Sequence, residues 1–157
     1  MINLSGNSIS QVYRDGPWVV KRQPLHLTDN EWRGLTIMNE HGFSPQAMRE
    51  DEETIRMMFL QSDQYFNPRK VIQSCTEFLY FLNCESLRHG DLTSPHVFVI
   101  DNSIKVIDWA ESRYGDDPAP DKRREGDLFW MKKTIQELFK RSGTKLADFN
   151  SEINALR

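Results

Sequence analysis

The chain has 157 residues, of which 38% are hydrophobic and 27% are charged, and its net charge is −3. This length and composition favour one globular domain over a disordered or fibrous chain. The slightly acidic balance gives no sign of a protein that binds nucleic acid or an anionic membrane. No apolar run approaches the roughly 20 residues that span a bilayer, and the N-terminus lacks the charged and apolar regions of a secretory signal.

The two cysteines give a second indication of the compartment. Cys75 and Cys84 fall on one predicted helix. Nine residues of helix separate them by about 13 Å, which is too far for a disulfide bond. Reduced thiols and the missing signal together favour a cytoplasmic protein with no membrane partner.

The first third of the chain is predicted to be rich in short strands. Alternating and β-branched residues bounded by turn formers indicate strands, and a polar start followed by a glycine stop indicates a helix. In chain order, the pattern predicts a strand at 9–13, a turn at 14–17, a strand at 18–21, a helix from Thr28 to Gly42, and a hairpin of residues 47–50 and 54–60.

The remainder of the chain changes to helical spacing. Asn67 followed by Pro68 is typical of a helix start, and apolar residues then recur at helical intervals as far as Leu82. A second long helix is predicted over about 121–141. The inward residues of that helix and of a weaker helical tail are Leu128, Met131, Ile135, Leu138, Leu146, Phe149, Ile153 and Leu156. The expected fold class is therefore α+β.

A β-hairpin is predicted between the two long helices. Residues 97–100 and 104–107 are β-branched or aromatic apart from one lysine, and the turn-forming residues 101–103 separate them. Polar residues surround the open end of this otherwise apolar strand pair. Such polarity is unusual beside a buried hairpin, and it marks this end as the candidate site.

The register of the hairpin determines which polar groups meet. If Ile100 pairs with Ile104, His96 lies opposite Asp108, with the two Cβ atoms about 5 Å apart. Asp91 in the preceding loop would then complete a group able to touch one cation. A two-residue turn would shift this register. Each aspartate taken alone is more often a turn former or the cap of a strand end.

The segments His89-Gly90-Asp91-Leu92-Thr93 and Val106-Ile107-Asp108-Trp109 together resemble the protein-kinase-like phosphotransferases. The reduced forms are the most similar: aminoglycoside and choline kinase relatives, RIO kinases and the kinase subunit of the tRNA-modifying KEOPS assembly. The resemblance implies one kinase-like domain over 1–157, with a small β-rich N-lobe (1–60) and a truncated, mostly helical C-lobe (61–157). It also implies transfer of the ATP γ-phosphate to a hydroxyl of a protein, possibly itself, or of a small molecule.

The resemblance implies roles for five residues. Lys21 would hold the α- and β-phosphates of ATP and would pair with Glu31 on the following helix. Asp91 would orient the acceptor hydroxyl or accept its proton. Asp108 would hold the cation, Mg²⁺ or Mn²⁺, together with His96, which stands where the family has an asparagine.

Further positions fit the family less specifically. Ser5, Gly6, Asn7 and Ser8 lie where the family covers the phosphates with a strand-turn-strand, and their backbone N–H groups and hydroxyls could bind phosphate. The family also places an aspartate on a later helix to hold the catalytic loop, which would be Asp127. The alternative for that residue is a first-turn aspartate favoured by the helix dipole.

The lysine and the glutamate also have simpler explanations. Thr28 and Glu31 have the spacing of a helix capping box, and Lys21 alone fits a lysine that lies along a sheet edge with its charge in solvent. Glu31, Leu35 and Met38 share one face of the helix. That apolar face favours the pairing of Glu31 with Lys21.

His96 is the main departure from the family pattern. Mg²⁺ prefers oxygen ligands, whereas imidazole suits Mn²⁺, Zn²⁺ or Fe²⁺ better. The pKa of histidine is also close enough to neutrality for a proton to compete with a metal. We therefore expect altered or weakened metal use at this position.

Two other classes of protein remain open. A pseudokinase would keep the fold to bind a nucleotide or a partner with little or no phosphotransfer, which fits His96 and the single glycine of the phosphate-covering turn. A metallohydrolase would use the histidines and aspartates of the loop and the hairpin. That reading leaves the predicted lysine–glutamate pair without a role.

Overall fold

The computed structural model describes residues 2–3, 9–115 and 126–157, and within these it has a mixed α+β fold with its main sheet in the first half. The strands are β1 (Ile2–Asn3), β2 (Gln11–Asp15), β3 (Trp18–Arg22), β4 (Ala47–Asp51), β5 (Thr54–Met58), β6 (Leu87–Arg88), β7 (Val97–Ile100), β8 (Ser103–Val106) and β9 (Arg113–Tyr114). The helices are α1 (Leu25–Glu40), α2 (Pro68–Cys84), α3 (Gly126–Arg141) and α4 (Asn150–Asn154). Short 3₁₀ turns cover Ser94–His96 and Leu146–Asp148.

The main sheet has five antiparallel strands in the order β1-β2-β3-β5-β4. Lys21 lies on the central strand β3, where it pairs with Val12 on one side and with Ile55 on the other. Its side chain is buried. Lys21 is therefore not a lysine of a sheet edge, and its charge needs partners inside the protein.

Helix α1 begins earlier than the sequence predicts. It starts at Leu25, so Thr28 already lies inside the helix. The Thr28 hydroxyl donates to the carbonyl oxygens of Gln23 (3.0 Å) and Pro24 (3.1 Å). The capping box of Thr28 and Glu31 does not form, because the N-cap position belongs to Pro24. Glu31 is thus free to point into the interior.

The prediction for helix α2 is confirmed. The Asn67 side chain caps it by accepting the backbone N–H groups of Arg69 (3.1 Å) and Lys70 (3.3 Å), and Pro68 occupies the first turn. The predicted apolar stripe is buried, namely Val71, Ile72, Cys75, Phe78, Leu79 and Leu82. Cys75 is buried and Cys84 is exposed, and both are free thiols.

The predicted register of the hairpin β7–β8 is wrong. Ile100 pairs with Ser103, not with Ile104, because the turn contains two residues and not three. Asp101 and Asn102 both have positive φ angles, 51° and 62°. This is the geometry of the tight turns whose twist matches a hairpin, and aspartate and asparagine tolerate it better than most residues.

Helix α3 ends at Arg141 as predicted, whereas the first part of its predicted range lies outside the described residues. Met131, Ile135 and Leu138 are buried as expected. Leu128 is 38% exposed, contrary to the prediction, because it lies in the first turn of α3 at the wall of an open cavity. The helical tail is broken into a 3₁₀ turn and α4.

One core connects the two halves of the chain. It combines side chains of α1 and the main sheet with side chains of α2, the hairpin β7–β8, α3 and the tail, where Ile153 and Leu156 are buried. The short pair β6–β9 was not predicted, since two-residue strands leave no periodic pattern. In the part of the chain that the structure describes, no helix has the length and apolarity needed to cross a membrane.

Candidate functional site

The buried ammonium group of Lys21 contacts two carboxylates. Its Nζ atom lies 2.8 Å from Oδ1 of Asp108 and 3.4 Å from Oε2 of Glu31. The expected pairing of the lysine with the helix α1 glutamate is therefore present. Asp108 follows the hairpin β7–β8, so the lysine also joins the main sheet to a segment 87 residues further along the chain.

The pKa values of Lys21, Glu31 and Asp108 are set by burial and by the charges of their partners. Burial acts to lower the pKa of Lys21, but the carboxylates of Glu31 and Asp108 outweigh it and raise that pKa above its usual value. Burial raises the pKa of Glu31 to about 6, against the attraction of Lys21. Burial would also raise the pKa of Asp108, but His96 and Lys21 hold it well below its usual range. Lys21 and Asp108 are thus charged near neutral pH.

The loop that carries Asp91 is held by its backbone. Asp127 on α3 accepts the N–H groups of His89 (2.7 Å) and Gly90 (3.0 Å), which is the contact that the family resemblance implies for this aspartate. His89 Nδ1 accepts the N–H of Asp91 (3.0 Å), and Nε2 donates to the carbonyl of Ile107 (2.8 Å). His89 is fully buried, and burial lowers its pKa. It is a neutral structural residue of the loop.

Asp91, His96 and Asp108 come together at the open end of the hairpin. One ligand atom from each lies within 4.8 Å of the others, and His96 Nε2 is 2.9 Å from Asp108 Oδ2. In the observed register His96 lies opposite Ile107, whose N–H donates to the His96 carbonyl (2.9 Å). His96 and Asp108 nevertheless meet, because Asp108 has a φ angle of +62° and leaves the strand direction. The predicted contact is present, but for a different reason.

The hydrogen bonds of His96 define its protonation. Nδ1 lies 2.8 Å from the backbone carbonyl of Asp91, and a carbonyl oxygen can only accept, so Nδ1 carries a proton. Nε2 faces the ionised carboxylate of Asp108 and donates to it as well. Burial acts to lower the pKa of His96, but the hydrogen bond and charge of Asp108 and the Asp91 carbonyl raise it. His96 therefore holds its second proton more tightly than an exposed histidine does.

Asp91, His96 and Asp108 can together bind a divalent cation when His96 Nε2 has lost its proton. Two carboxylates and an imidazole nitrogen are a donor set that suits Mn²⁺ better than Mg²⁺. Nδ1 is oriented by the Asp91 carbonyl, which leaves Nε2 as the coordinating nitrogen once it has lost its proton. A cation at this position would therefore compete with the proton of His96.

Two residues of α1 that the sequence did not single out hold the segment after Asp108. Asn30 Nδ2 donates to the carbonyl of Ala110 (3.0 Å), and Arg33 Nη2 donates to the carbonyl of Ser112 (2.8 Å). The Ser112 hydroxyl returns a hydrogen bond to the Asn30 carbonyl (3.1 Å). The only signal in the sequence is the i, i+3 spacing of two polar residues on one helix face, and their distant backbone partners could not be identified from it.

A cleft of about 300 Å³ opens onto this group of residues. Its walls come from the main sheet, α1, the loop and the segment after the hairpin, and include Ser10, Val12, Lys21, Leu27, Asp91 and Asp108. The predicted phosphate-binding residues Ser5, Gly6, Asn7 and Ser8 lie outside the described residues. No protein-family model matches this chain, and no match is found among the curated proteins.

Proposed function

We propose that this chain is an atypical ATP-dependent kinase with a reduced, bilobal protein-kinase-like fold, which transfers the γ-phosphate of ATP to a hydroxyl of a protein or a small molecule. The proposal depends chiefly on the buried contact of Lys21 with both Glu31 and Asp108. A buried lysine held by two carboxylates from separate elements suits the binding of phosphate groups. The loop held by Asp127 and the cleft beside it provide further support.

Each residue of the site has a task in this reaction, which asks a protein mainly for positioning and charge neutralisation. Lys21 keeps its positive charge for the phosphates, and Glu31 positions it. Asp91 orients the acceptor hydroxyl and takes its proton as the oxygen bonds to the γ-phosphorus, while the bond from that phosphorus to the β,γ-bridging oxygen breaks and ADP leaves. Asp108 and His96 would hold the cation, Mn²⁺ or Mg²⁺, which supplies neutralisation of the phosphate charge when bound.

One observation favours a second function. His96 already bonds to Asp108, and the raised pKa of His96 favours the protonated form, which places a positive charge where the cation would bind. A chain that keeps this arrangement with nucleotide present would be a pseudokinase, which binds ATP or a partner without transferring phosphate. The two functions differ in turnover and share the same cleft.

The test is phosphotransfer by the purified chain with labelled ATP and either Mg²⁺ or Mn²⁺. Asp91→Ala and Asp108→Ala are each expected to abolish labelling or ATP hydrolysis, because they remove the proton acceptor and the cation ligand. The matched control is Asp148→Ala, since Asp148 is an exposed aspartate in the C-terminal 3₁₀ turn.

Three results would separate the candidate functions. Turnover lost in both site variants and kept in Asp148→Ala supports the kinase. An increase in melting temperature with ATP, without turnover, supports the pseudokinase. Zinc bound to the purified chain, with no effect of ATP, would contradict both and favour a metallohydrolase.

A further inference from the structure

Arg113 on β9 is a buried arginine that has no carboxylate partner among the described residues. Its side chain is only 9% exposed, and its Nε and Nη1 atoms have no hydrogen-bond acceptor among the described residues. No ion pair within the described ranges includes it. Buried guanidinium groups are normally paired, because an unsatisfied charged donor is costly to remove from water. Arg113 therefore offers the N–H donors of Nε and Nη1 to an anion.

A second arginine lies directly opposite the first. Arg88 on β6 is the cross-strand partner of Arg113, so their side chains leave the ladder on the same face. Like charges in directly opposed positions repel each other. An anion between the two guanidinium groups would turn this repulsion into attraction.

The two arginines line a cavity of about 300 Å³ that is separate from the cleft beside Lys21, since no residue lines both. Its basic side chains and its principal apolar side chains are Arg88, Arg113, Arg157, Leu82, Leu128 and Trp130. Among the described residues, the one acidic side chain that lines it is Asp127, whose two oxygens accept the N–H groups of His89 and Gly90. The side chains of the described wall therefore carry a net positive charge, and the N-terminus of α3 adds to it.

We propose that this cavity binds an organic oxyanion, a phosphate monoester or a carboxylate carried on an apolar group. The oxyanion accepts N–H groups of Arg113 and Arg88, since a planar guanidinium matches the oxygens of both anions. The apolar group lies against Leu82, Leu128 and Trp130. Leu128 is an apolar residue in the first turn of α3 that is 38% exposed. A ligand whose apolar group packs against Leu128 would cover this exposed apolar surface.

The site adjoins the loop of the proposed kinase without depending on it. A Cβ atom built on Gly90 would lie 3.1 Å from Arg113 Nη1 and 2.9 Å from the Glu111 carbonyl oxygen. The backbone of the loop therefore lies against the guanidinium of Arg113. An anion bound to Arg113 is positioned to affect this loop, whether or not the neighbouring cleft transfers phosphate.

Calorimetric titration of the full chain with phenyl phosphate, benzoate and inorganic phosphate tests the proposal. Phenyl phosphate or benzoate is expected to bind the native chain more tightly than inorganic phosphate does. Arg113→Gln should weaken that binding about tenfold or more, because it removes charge-assisted hydrogen bonds. Arg88→Gln should weaken it less, and Lys70→Gln is the matched control, because Lys70 is exposed on α2.

Arg113 is buried, so Arg113→Gln could disturb the fold as well as the binding. Two further measurements do not depend on the folding of that variant. Leu128→Glu changes a partly exposed residue and should abolish binding, because it adds a negative charge at the wall. In the native chain, the Nε–H resonance of Arg113 should move during the titration. Binding that persists in both Arg113→Gln and Leu128→Glu would overturn the proposal, as would the absence of binding by either organic probe. Binding lost in Lys21→Met and kept in Arg113→Gln would also overturn it, by placing the anion in the other cleft.

Discussion

His96 lies between two carboxylates and is hydrogen-bonded to both segments that carry them. Nε2 donates to Asp108 over 2.9 Å, and Nδ1 donates to the Asp91 carbonyl over 2.8 Å. An imidazolium in this position neutralises Asp108, as a cation would. In the proposed kinase, the strength of cation binding would therefore depend on how readily His96 gives up a proton and moves from Asp108.

Replacement of His96 by asparagine should strengthen Mg²⁺-dependent ATP binding. The variant removes the positive charge and supplies an amide oxygen, which Mg²⁺ prefers to an imidazole nitrogen. We expect an increase in affinity of about tenfold, the scale on which metal-site groups act, and higher phosphotransfer. Calorimetric titration with ATP and Mg²⁺ measures the change, and His26→Asn on the exposed side of α1 is the control. An unchanged affinity would refute this account of His96.

The same residue should make folding stability depend on pH. The pKa of His96 is raised above its usual value of 6.5 in the folded chain, so the folded state binds the proton more tightly than the unfolded state. This contribution is fully present below about pH 6.5 and is lost as the pH rises through the folded-state pKa. The free energy of unfolding lost in His96→Asn should thus be larger at about pH 6 than at about pH 9, two values that lie on either side of the histidine titration. Urea denaturation at both values measures it, and a difference independent of pH would contradict the expectation.

At the scale of secondary-structure elements, α1 is the element that connects the sheet to the site. Glu31 of α1 contacts Lys21, and Asn30 and Arg33 hold the segment after Asp108. One turn beyond Glu31, the helix contacts the indole of Trp109 so closely that a Cβ atom on Gly34 would lie 2.5 Å from three of its side-chain atoms. Trp109 follows Asp108, so this contact sets the distance between α1 and the candidate site.

Replacement of Gly34 by alanine should therefore destabilise the protein. Alanine favours a helix over glycine by about 1 kcal/mol, but Trp109 is fully buried, so its movement away from α1 would disturb the surrounding core. Overpacking of this kind costs about 1–3 kcal/mol, which outweighs the gain. Thr36→Ala is the control on the exposed face of α1, with little change expected. Urea denaturation of both variants decides the point, and a Gly34→Ala chain as stable as the native one would show that α1 can shift.

At the scale of the whole molecule, the two halves share one core. Phe43 follows α1 and its ring packs edge-on against Phe78 of α2, with centroids 5.6 Å apart. Its carbonyl also accepts the N–H of Val106 on the hairpin strand β8 (2.8 Å). Contacts of this kind connect the sheet to the helical half, so the two halves should unfold together.

Phe43→Ala should lower the stability of both halves in a single transition. Removal of a buried phenylalanine typically costs about 3–5 kcal/mol, and the side chain of Phe43 is buried in the core. Far-ultraviolet and near-ultraviolet circular dichroism should follow the same melting curve in the native and the variant chain. Phe129→Ala, at a position that is 41% exposed, should have a much smaller effect. Separate melting of the two signals would contradict a shared core.

Part of the candidate site could be predicted because its motifs are short. The cap of α2 at Asn67 follows from a local pattern. The pairing of Lys21 with Glu31 and the loop contact of Asp127 were implied by the family resemblance, with simpler alternatives open for each, and the structure has both contacts. The hairpin register was not predicted correctly. It depends on whether Asn102 and its neighbour adopt left-handed backbone angles, and the sequence of the turn allows two-residue and three-residue loops alike.

The amino-acid sequence by itself determined the α+β class, the residues of the loop and the hairpin, and the polar groups at the hairpin's open end, because periodicity and turn chemistry act over a few residues. Only the tertiary structure decided that His96 bonds to Asp108, since the contact requires a positive φ angle at Asp108. It also decided that Arg113 is buried opposite Arg88, with no acceptor for its Nε and Nη1 atoms among the described residues. Burial and long-range pairing result from the packing of elements that are distant in the chain, and no local pattern specifies them.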